Sequence, residues 1–258
     1  MGTLGYLCRL GCVAARDPTE FVDRMRGKWQ IHREAEQNEP APVPTGDWPK
    51  ALHALLDEPF PCRVCDGFTS VWAATEAALA DRGHAVGMGY DASPDLARGA
   101  YAVTRHLQPR HVVETGVARG VTSRVVLQAL RENGEDGRLH SIDLPPLTDG
   151  WHDQSAIAVP PDLRMHWDYI RGSSRRVLAG LLETLGTVRV FIHDSLHTYD
   201  NMTREITTAW AHLESGGLLL CDDVECNRAF EHFAAASGGR WVVAKDERKP
   251  GFLGAVRR

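Results

Sequence analysis

Several features are scarce or missing in this sequence of 258 residues, and each absence narrows what the protein can be. No apolar run approaches the roughly 18 residues that a membrane-spanning helix needs, so we expect no insertion into a membrane. Aromatic residues make up 7% of the chain and the net charge is −5, so the basic, aromatic-rich surface typical of nucleic-acid binding is not expected. The first residues lack the basic region of a signal peptide, which favours a cytoplasmic protein.

Cysteine is also sparse, with six residues, and in a cytoplasmic protein these are expected to be reduced thiols. Cys62 and Cys65 have the spacing of half a zinc site, and Cys8 and Cys12 are the pair that would complete a site of four thiolates. The spacing alone leaves open whether these four residues bind zinc. Cys221 lies in an apolar run, which predicts a thiol packed in the core.

Residues 1–97 predict a helical N-terminal region. Asp17 and Pro18 are typical of a helix start, and this helix is expected to run to residue 36. Residues 38–49 carry four prolines and predict an extended linker. Apolar residues spaced at three and four predict further helices at 51–56, 68–80 and 94–107.

Residues 98–258 predict a second domain in which short apolar runs alternate with helical patterns. Five strands are expected at 111–114, 139–142, 165–170, 188–192 and 217–221, with helices at 122–131, 175–185 and 202–213 between them. This alternation predicts an α/β fold with a Rossmann-like, doubly wound, mostly parallel sheet. Runs at 241–244 and 252–256 predict a closing hairpin, giving seven strands with an antiparallel last strand.

In such sheets ligands bind where the strands end, and the first strand ends in a glycine turn. In the run from Glu114 to Gly120, Gly116 and Gly120 let the backbone approach a ligand closely, and the next helix offers free amide groups. The run lacks both Gly-x-Gly-x-x-Gly and Gly-Lys-Ser/Thr, which disfavours a nicotinamide dinucleotide and a phosphate-binding loop. The alternative is a tight turn with no ligand.

The second predicted strand ends in Asp143. An acid at this position can bind the hydroxyl groups of a ribose, and a glycine turn followed by such an acid is more specific than either feature alone. The alternative is that Asp143 only caps the following turn.

Three further acids follow the fourth and fifth predicted strands: Asp194, Asp222 and Asp223. Brought together, three carboxylates would repel one another unless a cation neutralised them, and Mg²⁺ is the cation that oxygen ligands favour. His197 lies three residues after Asp194 and is a candidate to accept a proton from a substrate hydroxyl. The alternative is that Asp194 and Asp222 cap helices while Asp223 is solvated.

Together these motifs resemble those of a class I S-adenosylmethionine-dependent methyltransferase, and more narrowly the O-methyltransferases of macrocin and mycinamicin type that act on macrolide sugars. The residues that carry the resemblance are Val113 to Gly120, Ser141 to Pro145, Gly172 to Ser174, His193 to Thr198, and Asp222 with Asp223. The resemblance covers about residues 98–258.

The resemblance implies a role for each matching residue. Glu114, Gly116 and Gly120 would surround the methionine part of the cofactor, with Thr122 and Ser123 near its carboxylate. Asp143 would bind the ribose, and Ser173 and Ser174 would lie beside the adenine. Asp194, Asp222 and Asp223 would hold the metal, with Asp194 also beside the cofactor and His197 as the base.

We therefore expect S-adenosylmethionine and Mg²⁺ as cofactors and a small-molecule hydroxyl as the methyl acceptor, without a nucleic-acid or membrane partner. The acceptor, a natural product or a sugar, would be selected by the N-terminal region, and assembly into a homo-oligomer is compatible with the sequence. Three alternatives stay open: an N-methyltransferase, a noncatalytic S-adenosylmethionine-binding module, and a hydrolase with Ser195 or Cys221 as nucleophile and His197 as base.

Overall fold

The structure is a computed structural model that describes residues 3–34, 44, 46–85, 91–134, 136–148, 151–246 and 251–258. Its α-helices are α1 Thr3–Arg16, α2 Pro18–Glu34, α3 Trp48–Leu56, α4 Phe68–Ala80, α5 Pro94–Leu107, α6 Val121–Asn133, α7 Trp151–Gln154, α8 Ser174–Leu185, α9 Tyr199–His212 and α10 Ala229–Ser237. Its strands are β1 His111–Thr115, β2 Arg138–Asp143, β3 Trp167–Arg171, β4 Val188–His193, β5 Leu213–Cys221, β6 Arg240–Lys245 and β7 Phe252–Arg257.

The seven strands form one sheet in the order β3-β2-β1-β4-β5-β7-β6. The first five are parallel, and β7 runs antiparallel to both β5 and β6. The predicted Rossmann-like sheet of seven strands with an antiparallel last strand is therefore confirmed. Its order reverses between β1 and β4, and at such a point the loops after adjacent strands separate and leave a crevice for a ligand.

Helices cover both faces of the sheet. On one face, α3, α5 and α6 contribute Trp48, Leu96 and Leu127 to a core that also contains sheet residues such as Val112 and Val190. On the other face, α8, α9 and α10 contribute Leu178, Ile206 and Phe230 to a core beneath Phe191 and Leu219. The predicted division between residues 97 and 98 falls inside α5, whose buried side chains belong to the first core.

The predicted N-terminal helices are present. α2 begins at Pro18 as expected and is described to Glu34, while residues 35 and 36 of the prediction lie outside the described residues. α1 was not predicted. The linker prediction was wrong at its end, because Asp47 caps α3 by accepting a hydrogen bond from the Lys50 amide and the helix begins at Trp48. Most of the predicted linker, residues 38–43 and 45, lies outside the described residues.

The cysteines are all free thiols, and the candidate site of four thiolates is not formed. Cys8 and Cys12 are exposed on α1, whereas the side chains gathered around Cys62 and Cys65 are those of His53 and His106. Cys221 is buried in the core, as predicted. Among the described residues, no helix combines the length and the apolar character required to cross a membrane.

Candidate active site at the carboxyl edge of the sheet

Backbone hydrogen bonds continue between neighbouring strands just beyond the carboxyl end of the sheet. They join the Gly116 amide to the Ile142 carbonyl (2.9 Å), the Asp194 amide to the Thr115 carbonyl (2.9 Å) and the Asp222 amide to the His193 carbonyl (3.0 Å). The loops after β1, β4 and β5 are thus fixed side by side, and the residues that the sequence analysis selected lie at one edge.

The two glycines of the turn after β1 are required by the backbone. Gly116 has φ +88°, and a Cβ there would lie 1.9 Å from the backbone oxygen of Asp194. Gly120 has φ +84°, and its Cβ would lie 2.9 Å from Val159 and 3.1 Å from Ala156. Only glycine tolerates both the positive φ and these approaches, so the turn packs tightly against the loop after β4 and against residues 156–159.

A cavity of about 830 Å³ opens above these loops, within the size range of ligand pockets in proteins. Eight of the predicted site residues line it: Gly116, Asp143, Ser173, Ser174, Asp194, His197, Asp222 and Asp223. Four predicted site residues are not part of the described lining, and all four are buried: Glu114, Gly120, Thr122 and Ser123. Their direct contact with a cofactor stays a prediction.

Asp143 is held at the cavity by two donors. Its Oδ1 accepts from the Val117 amide at 3.2 Å, and its Oδ2 accepts from the Tyr169 hydroxyl at 3.2 Å. Burial raises the pKa of Asp143 above its ordinary value, although these two hydrogen bonds act in the opposite sense. Tyr169, on β3, was not selected from the sequence, because its position beside Asp143 depends on the pairing of β2 with β3.

Glu114 lies at the end of β1 and is fully buried. Its Oε2 accepts from the hydroxyls of Ser123 and Ser141, each at 2.6 Å, while its Oε1 has no hydrogen-bond partner among the described residues. Burial raises the pKa of Glu114 to about 7, against the two hydrogen bonds that lower it. Through these two hydrogen bonds, Glu114 connects the end of β1 to the first turn of α6 and to β2.

His197 lies between two of the predicted acids. Its Nε2 is 3.7 Å from Asp194 Oδ1 and its Nδ1 is 3.4 Å from Asp223 Oδ2. The expected alternative that Asp194 and Asp222 cap helices is wrong, because Thr198 is the N-cap residue of α9 and Asp223 precedes the short 3₁₀ turn Val224–Cys226. Asp222 is buried, with 1% of its surface exposed.

The three acids offer the oxygen donors that Mg²⁺ prefers. However, within the described part of the chain they do not form a group whose ligand atoms all lie within 4.8 Å of one another. The donor chemistry therefore fits a divalent ion, but binding one would require the side chains to turn toward each other. The metal-binding role stays a prediction.

Comparisons with known proteins agree with this architecture. Residues 113–224, which extend from β1 to just past β5, match the sequence model of a family described as a methyltransferase domain. The chain has a Rossmann-like methyltransferase fold. A comparison with curated proteins found no match.

Several solved structures share this methyltransferase fold. The O-methyltransferase TomG from Streptomyces achromogenes, involved in tomaymycin synthesis and solved with S-adenosylmethionine, has a TM-score of 0.53 and 16% identity over 72% of this chain and 89% of its own. An O-methyltransferase from Bacillus cereus, solved with S-adenosylhomocysteine, has a TM-score of 0.52 and 16% identity over 82% and 98%. A putative O-methyltransferase from Klebsiella pneumoniae gives 0.52 and 16% over 81% and 96%.

A buried glutamate beneath the cavity was not predicted from the sequence. Glu205, on α9, accepts hydrogen bonds from five side chains: Thr115 (2.6 Å), His193 Nδ1 (2.7 Å), Ser195 (2.9 Å), Asn201 (3.0 Å) and Ser174. Burial raises its pKa, but His193 and these donors outweigh burial and lower it to about 2. Its position on the apolar face of α9, between Met202 and Ile206, was the signal that could have identified it.

This network also bears on the hydrolase alternative. The Ser195 hydroxyl donates to Glu205, and Cys221 is fully buried in the core, where burial raises the pKa of its thiol. Neither side chain is presented as an activated nucleophile, so the geometry does not favour hydrolysis.

Helices α1 and α2 cover the cavity and contribute Tyr6, Arg24, Gly27 and Ile31 to its lining. We call these two helices the roof and the carboxyl edge of the sheet the floor. The roof is joined to the floor side mainly by polar contacts. Arg24 donates to the Pro145 carbonyl at 2.9 Å, and Glu20 accepts from Arg171 at 2.9 Å.

Proposed function

We propose that this protein is an S-adenosylmethionine-dependent methyltransferase that methylates a hydroxyl group of a small molecule. One observation carries the proposal: in a methyltransferase fold, the ends of β1, β2 and β4 bring Gly116, Asp143, Asp194 and His197 to one cavity. The O-methyltransferase neighbours, two of them solved with the cofactor or its demethylated product, support the same assignment.

The floor suits the cofactor in shape and in chemistry. S-adenosylmethionine carries an activated methyl group on a sulfonium, so that methyl transfer forms a carbon–oxygen bond while the carbon–sulfur bond breaks. Asp143 supplies a carboxylate for the ribose, Ser173 and Ser174 line the cavity where the adenine would lie, and Gly116 lines it where the methionine part would lie. This arrangement fixes the donor, and orientation is a large part of the catalysis.

His197 is the residue that we assign as the general base. Methylation of a hydroxyl releases one proton, and an imidazole nitrogen of His197 accepts it at the cavity wall. The carboxylates of Asp194 and Asp223, at 3.7 and 3.4 Å, stabilise the imidazolium that forms. This placement favours a hydroxyl acceptor, which must lose its proton to become a strong nucleophile, over an amine, which is already nucleophilic when neutral.

A divalent metal ion belongs to the same proposal. Asp194, Asp222 and Asp223 would hold it, and it would supply a charge that lowers the pKa of a coordinated substrate hydroxyl. The resemblance to the macrolide sugar O-methyltransferases favours a reaction that depends on a metal ion. The roof, lined by Tyr6, Arg24 and Ile31, is the surface that would contact the acceptor.

The test is methyl transfer from labelled S-adenosylmethionine to a panel of small molecules with sugar, phenol or aliphatic hydroxyl groups. His197→Ala should lower turnover by about 10²–10⁴-fold, the typical contribution of a general base. His212→Ala is the matched control, because His212 lies on α9 and its Nδ1 donates to the Gly186 carbonyl away from the cavity. Binding of cofactor without turnover on any acceptor would favour a noncatalytic module, and unchanged turnover in His197→Ala would exclude the base assignment.

The metal form is tested separately by add-back. Protein stripped with a chelator is divided into two samples, one restored with Zn²⁺ alone and one with both Zn²⁺ and Mg²⁺. Because both samples contain Zn²⁺, any difference in turnover between them is due to Mg²⁺. We expect turnover to return only in the sample that contains Mg²⁺. In Asp223→Ala, adding Mg²⁺ should not restore turnover. Full turnover without Mg²⁺ would contradict the metal role and leave the base assignment intact.

A further inference from the structure

A second cluster of metal-ligating side chains lies outside the cavity. His53 is on α3, Cys62 directly precedes the 3₁₀ turn Arg63–Cys65, Cys65 ends that turn, and His106 is in the last turn of α5. One ligand atom from each residue lies within 4.8 Å of the other three. Within the described part of the chain, this is the only such group of three or more His, Cys, Asp or Glu residues.

The four sulfur–nitrogen distances are close to those of a tetrahedral site. His53 Nε2 is 3.1 and 3.5 Å from the sulfurs of Cys62 and Cys65, and His106 Nε2 is 3.3 and 3.8 Å from them. Zinc bonds of ordinary length place sulfur and nitrogen ligands about 3.5 Å apart around a tetrahedral ion. The two sulfurs are 2.8 Å apart, beyond the roughly 2.05 Å of a disulfide bond, so both are free thiols. Two sulfurs bound to a tetrahedral zinc ion lie about 3.8 Å apart, so the two thiolates would separate by about 1 Å when the ion binds.

A hydrogen bond of His53 and a carboxylate near His106 favour ring orientations that direct Nε2 at the sulfurs. His53 Nδ1 donates to the Pro49 carbonyl at 2.7 Å, because a carbonyl can only accept. This fixes the tautomer and leaves the lone pair of His53 on Nε2, directed at the sulfurs. His106 Nδ1 lies 3.7 Å from Glu58 Oε1, and a carboxylate beside the distal nitrogen is the usual partner of a metal-bound histidine.

We infer that His53, Cys62, Cys65 and His106 form a zinc site with a structural role. Two sulfur and two nitrogen ligands in tetrahedral arrangement are typical of Zn²⁺, and four protein ligands leave no position for a substrate. None of the four lines the cavity.

The site connects segments that are far apart in sequence. α3 packs against β6, β7 and α5, so an ion held by α3, the 3₁₀ turn and α5 fastens residues 48–65 to the helix that leads into β1. Zinc would stabilise the folded chain directly, because the ligands are assembled only when these segments meet.

The test is the zinc content of the full chain, purified under reducing conditions without a chelator or a metal-affinity tag. We expect about one zinc ion per chain, and at least a tenfold lower content in Cys62→Ser and in Cys65→Ser. The matched control is the double variant Cys8→Ser/Cys12→Ser, which removes two exposed thiols from α1 and should retain the ion.

Two further measurements use the wild-type protein, so their results do not depend on whether the variants fold. Wild-type protein stripped of metal and reconstituted with Co²⁺ should develop the thiolate-to-cobalt and tetrahedral absorption bands. In the native protein, Cys62 and Cys65 should resist a thiol reagent until a strong chelator is added, and the chelator should also lower Tm. Absence of zinc together with absence of the cobalt bands, a disulfide between Cys62 and Cys65, or zinc retained in Cys62→Ser would overturn the inference.

Discussion

The floor and the roof of the cavity are built by different interactions. In the floor, Glu114 and Glu205 are fully buried and connect the loops through short hydrogen bonds. In the roof, Glu20 is buried where it accepts from Arg171, but the contact between Arg33 and Asp200 joins partly exposed side chains. Buried networks are rigid and costly to disrupt, whereas exposed ion pairs contribute little. The difference indicates that the floor is held more rigidly than the exposed contacts of the roof.

The two floor glutamates also differ from each other. Glu205 has a histidine and several donors, and its pKa falls to about 2, so it is charged. Glu114 has two hydroxyls, and burial raises its pKa to about 7. Equal burial therefore gives opposite shifts, because the partners decide which form is stable.

The largest effect is expected from Glu205→Ala. It leaves His193 and the surrounding donors buried without their acceptor, and we expect a loss of about 3–5 kcal/mol in the free energy of unfolding, measured in urea. Glu183→Ala, on the exposed side of α8, should change it by less than about 0.5 kcal/mol. A loss below about 1 kcal/mol in Glu205→Ala would contradict the account of a rigid floor.

Glu114 predicts a dependence of stability on pH. Its pKa in the folded state is raised from 4.5 to about 7, so between these values the folded chain holds a proton that the unfolded chain releases. The free energy of unfolding should therefore fall by about 3 kcal/mol as the pH rises from 4.5 to 7. The measurement is urea unfolding across this pH range. In Glu114→Gln, the free energy of unfolding should not show this decrease of about 3 kcal/mol. Identical pH profiles for the two proteins would refute the shift.

The smallest effect is expected in the roof. Asp200 accepts hydrogen bonds from Arg33 at 2.7 Å and Gln30 at 3.3 Å, and its side chain is 41% exposed. Asp200→Ala should lower the free energy of unfolding by less than about 1 kcal/mol. Added salt should shrink the difference from wild type further. A loss comparable to that of Glu205→Ala would remove the distinction between roof and floor.

The sequence predicted the floor better than the roof. All seven strands were found because each is an apolar run with a turn at its end, and the acids of the floor directly follow these runs. β5 begins at Leu213, four residues before the predicted start. The prediction was late because Gly216 and Gly217 suggest the end of a turn, whereas in the structure the strand continues through them with an irregular register. α1 carries only a mild apolar pattern, and its place over the cavity depends on tertiary contacts such as that of Arg9 with the Leu147 carbonyl.

The zinc ligands show the limit of spacing rules. Cys62 and Cys65 were recognised as a pair, but no spacing rule connects them with His53, on the preceding helix, or with His106, more than forty residues later. The histidines become partners only because α3 and α5 pack side by side. Glu205 was missed for the same reason, since its partners come from β1, β4 and α8.

The central claim, a floor built for S-adenosylmethionine, is tested most directly by calorimetric titration of the wild-type chain with this cofactor. We predict binding that Asp143→Asn weakens by about 10–100-fold, because a charged acceptor for the ribose is lost. Asp162→Ala, which removes an exposed acid paired with Arg131, should leave the affinity unchanged. Absence of binding to the wild-type chain, or equal affinity in Asp143→Asn, would contradict the account.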